Sequence, residues 1–146
     1  MIKFYQAEAI ASKIIDIGHK KQFKPLAVVV LNAEGHCIVL KRDDGATFLR
    51  PKIAEAKAWG ALGMGCGSRE LGRRAEKNPA FFSSVCQLSE GRMIPVAGGV
   101  VIRAPDGMVL GAVGVSGDVA DNDEWCAVAA IEAAGLVADT GDQVKS

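Results

Sequence analysis

The sequence has few aromatic residues, no excess of either charge and no long apolar run. Aromatic residues make up 5% of the chain, and 17 basic residues balance 17 acidic ones. Proteins that bind nucleic acids usually carry a basic surface, often with aromatic side chains on which bases stack. A transmembrane helix needs about 20 consecutive apolar residues, and a secretory signal needs a short apolar core near the N-terminus. We therefore expect no nucleic-acid partner, no membrane segment and a cytoplasmic location.

Metal-binding motifs are also scarce. The four cysteines are widely spaced, without a C-x-x-C pair. The two histidines, His19 and His36, do not stand at zinc-ligand intervals from them. The spacing therefore predicts reduced thiols rather than a zinc site.

The length and composition predict one globular domain. The chain has 146 residues, 49% of them hydrophobic, with a mean hydropathy of +0.19. This is enough apolar material for a single core and too short a chain for two ordinary domains. We expect one domain over residues 1–146, with its core at about 5–137. The polar C-terminal segment DTGDQVKS is expected to fray.

Periodicity and turn residues predict the order helix, hairpin, helices, hairpin, helix. Apolar residues recur at helical spacing from Ala7 to Ile17, and Gly18 supplies a stop, so a helix is expected over 5–18. Hairpins join antiparallel strands, so the pattern indicates an α+β fold with helices on an antiparallel sheet. The remaining predicted elements are a hairpin over 26–42, helices beginning near Pro51 and after Asn78, a solvated mixed-charge helical face at 68–77, a second hairpin turning at 104–107, and a helix from a capping box of Asp121 and Glu124 to Gly135.

Glycine interrupts both strands of the second hairpin, VAGGVVIRAPDGMVLGAVGVSG, over residues 96–117. Glycine weakens a strand unless another group must approach the backbone closely. Two uses remain open: an exposed shallow face for a flat ligand or another subunit, or room for sheet curvature and a tightly packed helix. The glycines concerned are Gly98, Gly99, Gly111, Gly114 and Gly117.

The junction after this hairpin could receive an anion. Ser116 and Gly117 stand between a strand and a helix start, where backbone N–H groups are free. Acidic residues follow at once over 118–124, and they would cap the helix and repel a second negative charge. Their spacing also lacks the pattern of a calcium loop. Capping is the favoured interpretation over phosphate or metal binding.

Several segments together resemble the GlcG/HbpS-like family, which includes the C-terminal domain of PduO-type proteins. They are RDDGA after the first hairpin, the AEAKAW helix, the Gly98-Gly99 pair, and GAVGVSG followed by DNDE. Their order and spacing match over about residues 7–136. The resemblance implies a profilin-like α+β fold, homo-oligomers built on dimers, and binding of haem or haem-derived iron.

A haem site needs an iron ligand and partners for the propionates. His19 lies about half a turn from the apolar stripe of the first helix, so it points away from the core and is the candidate iron ligand. His36 follows a turn and is expected to be exposed. Arginine forms two parallel hydrogen bonds with a carboxylate, and Arg42 and Arg103 are favoured for this role, although both could instead pair with nearby acidic residues. The arginines that could supply such a partner are Arg42, Arg50, Arg69, Arg73, Arg74 and Arg103. The candidate ligand-binding residues are Arg42, Asp44, Gly98, Gly99, Arg103, Ser116 and Gly117.

Two other functions remain open. The chain could be an enzyme of lyase or isomerase type that acts on a carboxylated metabolite, with Lys57, Glu55 and Asp123 as candidate catalytic groups. A buried lysine is suited to base or Schiff-base chemistry because burial lowers its pKa. The favoured alternative is that Lys57 extends to the surface or pairs with an acidic residue. The chain could also be an accessory assembly module without a ligand. The leading expectation is a small oligomeric protein that binds haem or a similar flat cofactor.

Overall fold

The computed structural model describes residues 1–142, which form five helices and one five-stranded sheet. None of the helices in this part of the chain is long and apolar enough to cross a membrane. The elements are α1 (Phe4–Lys21), β1 (Ala27–Asn32), β2 (Cys37–Arg42), α2 (Arg50–Met64), α3 (Ser68–Lys77), α4 (Pro79–Leu88), β3 (Gly99–Arg103), β4 (Val109–Ser116), α5 (Ala120–Ala133) and β5 (Val137–Asp139).

The strands form one antiparallel sheet in the order β2-β1-β4-β3-β5. Both predicted hairpins are present, and they meet where β1 pairs with β4, with Val30 opposite Val113. The α+β fold predicted from the sequence is confirmed. The edge strand β5 was not predicted, because it is three residues long and exists only through its pairing with β3.

Helices cover both faces of the sheet. Alternate residues of β1 point to opposite faces, so Val28 and Val30 pack with α1 and α5, whereas Val29 and Leu31 pack against α2. In α1 the buried stripe includes Ile10 and Ile14. The predicted amphipathic helix is therefore confirmed, and α1 covers the sheet as its pattern requires.

Helix α1 extends three residues beyond the predicted stop at Gly18. Gly18 lies within the helix, and its lack of a side chain makes room for Leu26, because a Cβ there would approach the Leu26 side chain to 2.8 Å. The helix instead ends at Gln22, whose backbone is left-handed with φ of 58°. This extension places His19 in the last turn of α1.

The glycines of the second hairpin make room for helix α2. A Cβ on Gly114 would overlap the Ala54 carbonyl oxygen, and a Cβ on Gly99 would overlap the Lys57 carbonyl oxygen. The main chain of α2 thus rests on the sheet at a separation that only glycine permits. An exposed shallow face at these two positions was the wrong interpretation, because α2 occupies that space.

The start of α5 differs from the predicted capping box. The N-cap residue is Val119, and its N–H donates to the Asp118 carboxylate at 2.8 Å. Asp121 and Glu124 instead form ion pairs with Arg69 of α3. The capping box was wrong because these two acidic residues are engaged by another helix. The interpretation of α3 as a solvated face was also incomplete, since its Ser68 and Leu71 are fully buried.

The C-terminal segment is held in place as far as residue 142. The Arg103 guanidinium donates to Asp139 at 2.8 Å, and Arg73 pairs with Asp142, also at 2.8 Å. The expectation of a frayed tail from Asp139 onward was wrong for these four residues, because two arginines and β5 hold them. Residues 143–146 lie outside the described part of the chain.

Candidate functional site

His19 is presented to solvent at the end of α1. Its side chain is 62% exposed, and its Nε2 lies 2.6 Å from Oδ2 of Asp43. Asp43 is held in turn, because its N–H donates to the Leu26 carbonyl at 2.9 Å. The carboxylate therefore fixes the orientation of the imidazole from the loop that follows β2.

The same loop forms one wall of a cavity of about 180 Å³. The Asp43 carbonyl accepts from the Ala46 N–H at 3.2 Å, and the Ala46 carbonyl accepts from the Arg42 guanidinium at 2.7 Å. These bonds shape the turn between His19 and the cavity. The cavity is lined by Lys24, Pro25, Gly45, Ala46, Thr47, Arg50 and Gly117.

Arg50 is the arginine that lines this cavity. It lies in the first turn of α2, beside Pro51, and its side chain is half-buried. One guanidinium N–H donates to Oγ of Ser116 at 3.1 Å. Ser116 is fully buried, so its hydroxyl positions Arg50 instead of facing the cavity directly.

The structure brings Lys57 and Asp123 together in the interior. Their side chains are 4% and 1% exposed, and Nζ lies 3.3 Å from Oδ2. Nζ also donates to the Val115 carbonyl at 3.0 Å, and Oδ1 of Asp123 accepts from the Asp118 N–H at 3.0 Å. Desolvation lowers the pKa of Lys57 and raises the pKa of Asp123, and each effect is opposed by the charge of the partner. The pair joins α2, β4 and α5.

Glu55, the third candidate catalytic group, lies away from that pair. It lines a separate cavity of about 260 Å³ on the outer side of α2, together with Trp59 and Arg92. Lys57 and Asp123 line neither this cavity nor the one beside Arg50. The three candidate catalytic residues therefore do not form one accessible site.

Arg103 lies far from His19 and Arg42. It pairs opposite Val109, at the start of β4, whereas Ser116 ends that strand. At roughly 3.4 Å per residue the two ends of β4 are on the order of 20 Å apart. Arg103 binds Asp139 and the carbonyls of Gly65 and Gly107.

The remaining candidate ligand-binding residues are divided between the surface and the interior. Asp44 is exposed in the loop, and its N–H donates to Asp43 at 2.9 Å. Gly98 and Gly99 are buried beneath Lys57, whereas Gly117 lines the cavity. The residues that meet around this loop are His19, Arg42, Asp44, Ser116 and Gly117.

Sequence reasoning included Arg50 among the possible carboxylate partners without favouring it, and it missed Lys24 and the contact of Asp43 with His19. Arg50 stands beside a proline at a helix start, which is a local signal for helix formation but not for a ligand. Among residues 1–142, no group of three or more histidine, cysteine, aspartate or glutamate side chains is placed to hold a metal ion.

Comparisons with known proteins agree with this fold. Corrinoid adenosyltransferase PduO of Salmonella typhimurium is 28% identical over 109 residues, which are 75% of this chain and 32% of that relative. The chain thus spans about a third of the length of this curated relative. A complex of PduOC with haem superposes with a TM-score of 0.83 at 24% identity, covering 92% of this chain and 96% of that chain. HbpS superposes with a TM-score of 0.77 at 26% identity, covering 90% of this chain and 88% of that chain.

The family match extends over nearly the whole chain. Residues 2–132 match the family described as haem degrading protein HbpS-like. This range runs from two residues before α1 to the last turn of α5, so it includes the loop 43–49, the cavity and the buried ion pair. The chain therefore belongs to the HbpS-like family.

Proposed function

We propose that the protein binds haem, with His19 as the axial ligand of the iron. The observation that carries this proposal is the exposed imidazole of His19 beside the cationic cavity at Arg50. The family name and the haem complex of PduOC support haem as the ligand. When bound, haem supplies an iron that takes an imidazole nitrogen and two propionates that take cationic partners.

The chemistry of the surrounding side chains fits such a ligand. Phe48 and Leu49 are 83% and 52% exposed in the loop that contains Asp43. Trp125 is 48% exposed, and the Lys21 ammonium lies 4.9 Å from its ring centroid, next to the end of α1. Exposed aromatic and aliphatic groups suit the flat faces of a porphyrin. The basic side chains of Lys21 and Arg50, on the same segments, suit the propionates of a porphyrin.

A second copy of the chain would complete this site. Pockets that enclose a drug-sized ligand have volumes of about 300 Å³ or more, whereas the cavity beside Arg50 has about 180 Å³. The face of a porphyrin bound to His19 would therefore stay open to water on one chain. We propose that the protein forms a homodimer around this surface, and light scattering with and without haemin would measure the association.

Titration of the haem-free protein with haemin tests the iron ligand. We expect saturation at a defined ratio of haemin to subunit, with a sharp Soret change that is lost in His19→Ala. His36→Ala is the matched control, because His36 is exposed on the β1–β2 turn and should leave the titration unchanged. A featureless, nonsaturating titration of the wild-type protein would refute haem binding and favour the assembly-module alternative.

Removal of the Asp43 carboxylate is expected to tighten haemin binding. Asp43 engages Nε2 of His19 in the haem-free protein, so iron binding through this nitrogen must displace that contact. Asp43→Ala removes the competitor, and we expect the Kd for haemin to fall about three- to tenfold. Asp106→Ala removes the same charge from the exposed turn between β3 and β4, far from His19, and serves as the control. Weaker haemin binding by Asp43→Ala would contradict the competition between Asp43 and the iron for His19.

A further inference from the structure

The cavity beside loop 43–49 has a cation without a carboxylate partner among the residues that the structure describes. Arg50 makes one side-chain hydrogen bond there, to the neutral hydroxyl of Ser116. The arginine side chains that do form ion pairs within residues 1–142 are those of Arg69, Arg73 and Arg103. A guanidinium has five N–H donors in a planar fork that fits a carboxylate. Arg50 therefore has donors available for a ligand.

The size and lining of the cavity suit a single carboxylate arm. Its volume of about 180 Å³ is below that of pockets for drug-sized molecules, so a macrocycle does not fit inside. Lys24 adds a second positive charge to the lining, and Thr47 adds a hydroxyl group. The two cationic side chains and the hydroxyl group favour a charged, oxygen-rich ligand group over an apolar one.

The acidic residues that flank the cavity are engaged elsewhere. The Asp43 carboxylate lies against His19, 2.6 Å from Nε2. The Asp118 carboxylate accepts from the backbone N–H of Lys24 at 2.7 Å and from that of Val119 at 2.8 Å. These hydrogen bonds lower the pKa of Asp118, which keeps it ionised and bound to the main chain. Neither carboxylate is paired with Arg50.

We propose that this cavity is a carboxylate-binding subsite, with Arg50 as the residue that contacts the ligand and Ser116 as the residue that positions Arg50. The choice of ligand rests on the proposed function: in a haem-binding protein the carboxylate is a propionate that enters the cavity while the macrocycle remains outside. A free dicarboxylic acid presents the same chemistry, so the test includes both sources.

Haemin and its dimethyl ester separate the propionate contact from iron ligation. The ester keeps the iron and the macrocycle but has no carboxylate. We expect Arg50→Met to weaken haemin binding about ten- to a hundredfold while leaving the affinity for the ester unchanged. Arg92→Met is the matched control, because Arg92 is stacked on Trp59 at 4.3 Å and lines a different cavity. Arg50→Lys keeps the charge but not the fork, and it should give an intermediate loss.

Calorimetry with succinate on the haem-free protein tests the subsite independently of haem. Saturable succinate binding by the wild-type protein and its loss in Arg50→Met would support the subsite even if haemin fails to bind, and haem would then be the wrong ligand. Equal haemin affinities of the wild-type protein and Arg50→Met, without succinate binding, would overturn the subsite. Thermal melting of each variant shows that it is folded under the titration conditions.

Discussion

Replacement of Lys57 by methionine is expected to lower the free energy of unfolding by about 3 to 5 kcal/mol. Methionine preserves most of the side-chain volume but leaves the carboxylate of Asp123, which is 1% exposed, without its cationic partner. Burying an uncompensated charge costs more than the pair itself contributes. Urea unfolding followed by circular dichroism measures the change.

A double variant and a surface variant give the controls. Adding Asp123→Asn to Lys57→Met removes the uncompensated charge, so much of the lost stability should return. Lys41→Met breaks the exposed pair of Lys41 with Glu8 and should produce little change. If Lys57→Met is as stable as the wild-type protein, the ion pair has no structural role, and the enzyme hypothesis for Lys57 gains support.

The stability deficit of Lys57→Met should also depend on pH. Burial raises the pKa of Asp123 above its usual value of 3.8, and removing Lys57 removes an opposing charge. The folded variant then holds the Asp123 proton more tightly than the unfolded chain does. The stability of Lys57→Met relative to the wild-type protein should therefore be greatest below pH 3.8. It should fall as the pH rises through the pKa of Asp123 in the folded variant. A loss of stability in Lys57→Met that did not change with pH would show that the buried charge of Asp123 is not its cause.

Replacement of Gly114 by alanine is expected to destabilise the fold by about 3 kcal/mol or more. The new Cβ would overlap the carbonyl oxygen of Ala54, and the Ala58 backbone nitrogen would lie within 3.1 Å of it. These are backbone atoms of α2, so relief requires the whole helix to move away from the sheet. Urea unfolding measures the loss, and a displaced α2 should also weaken haemin binding through Arg50.

Gly63 provides the matched control for Gly114. Gly63 lies within α2, the helix that Gly114 contacts, and a Cβ on Gly63 would have no heavy atom within 4 Å. Gly63→Ala should therefore raise stability by about 0.5 to 1 kcal/mol, because alanine restricts the unfolded chain and favours the helix. Similar effects of the two substitutions would show that close packing of α2 does not explain Gly114.

Local patterns in the sequence were sufficient for most of the secondary structure. Apolar spacing indicated α1, turn residues indicated both hairpins, and the Asn78-Pro79 pair indicated the start of α4. The Asn78 side chain accepts from the Phe81 N–H, as an N-cap should. These signals act within a few residues of each other, so their outcome can be inferred without knowing the rest of the fold.

By itself, the sequence determined the element order from α1 to α5, the antiparallel pairing of the hairpins and the exposed position of His19. Only the tertiary structure decided which groups meet. Asp43 is 24 residues from His19, and 66 residues separate both Lys57 from Asp123 and Arg50 from Ser116. Periodicity does not show which residues distant along the chain come into contact, because these contacts depend on how α1, α2 and α5 pack on the sheet. The same packing determined that the glycines opposite Ala54 and Lys57 accommodate a helix.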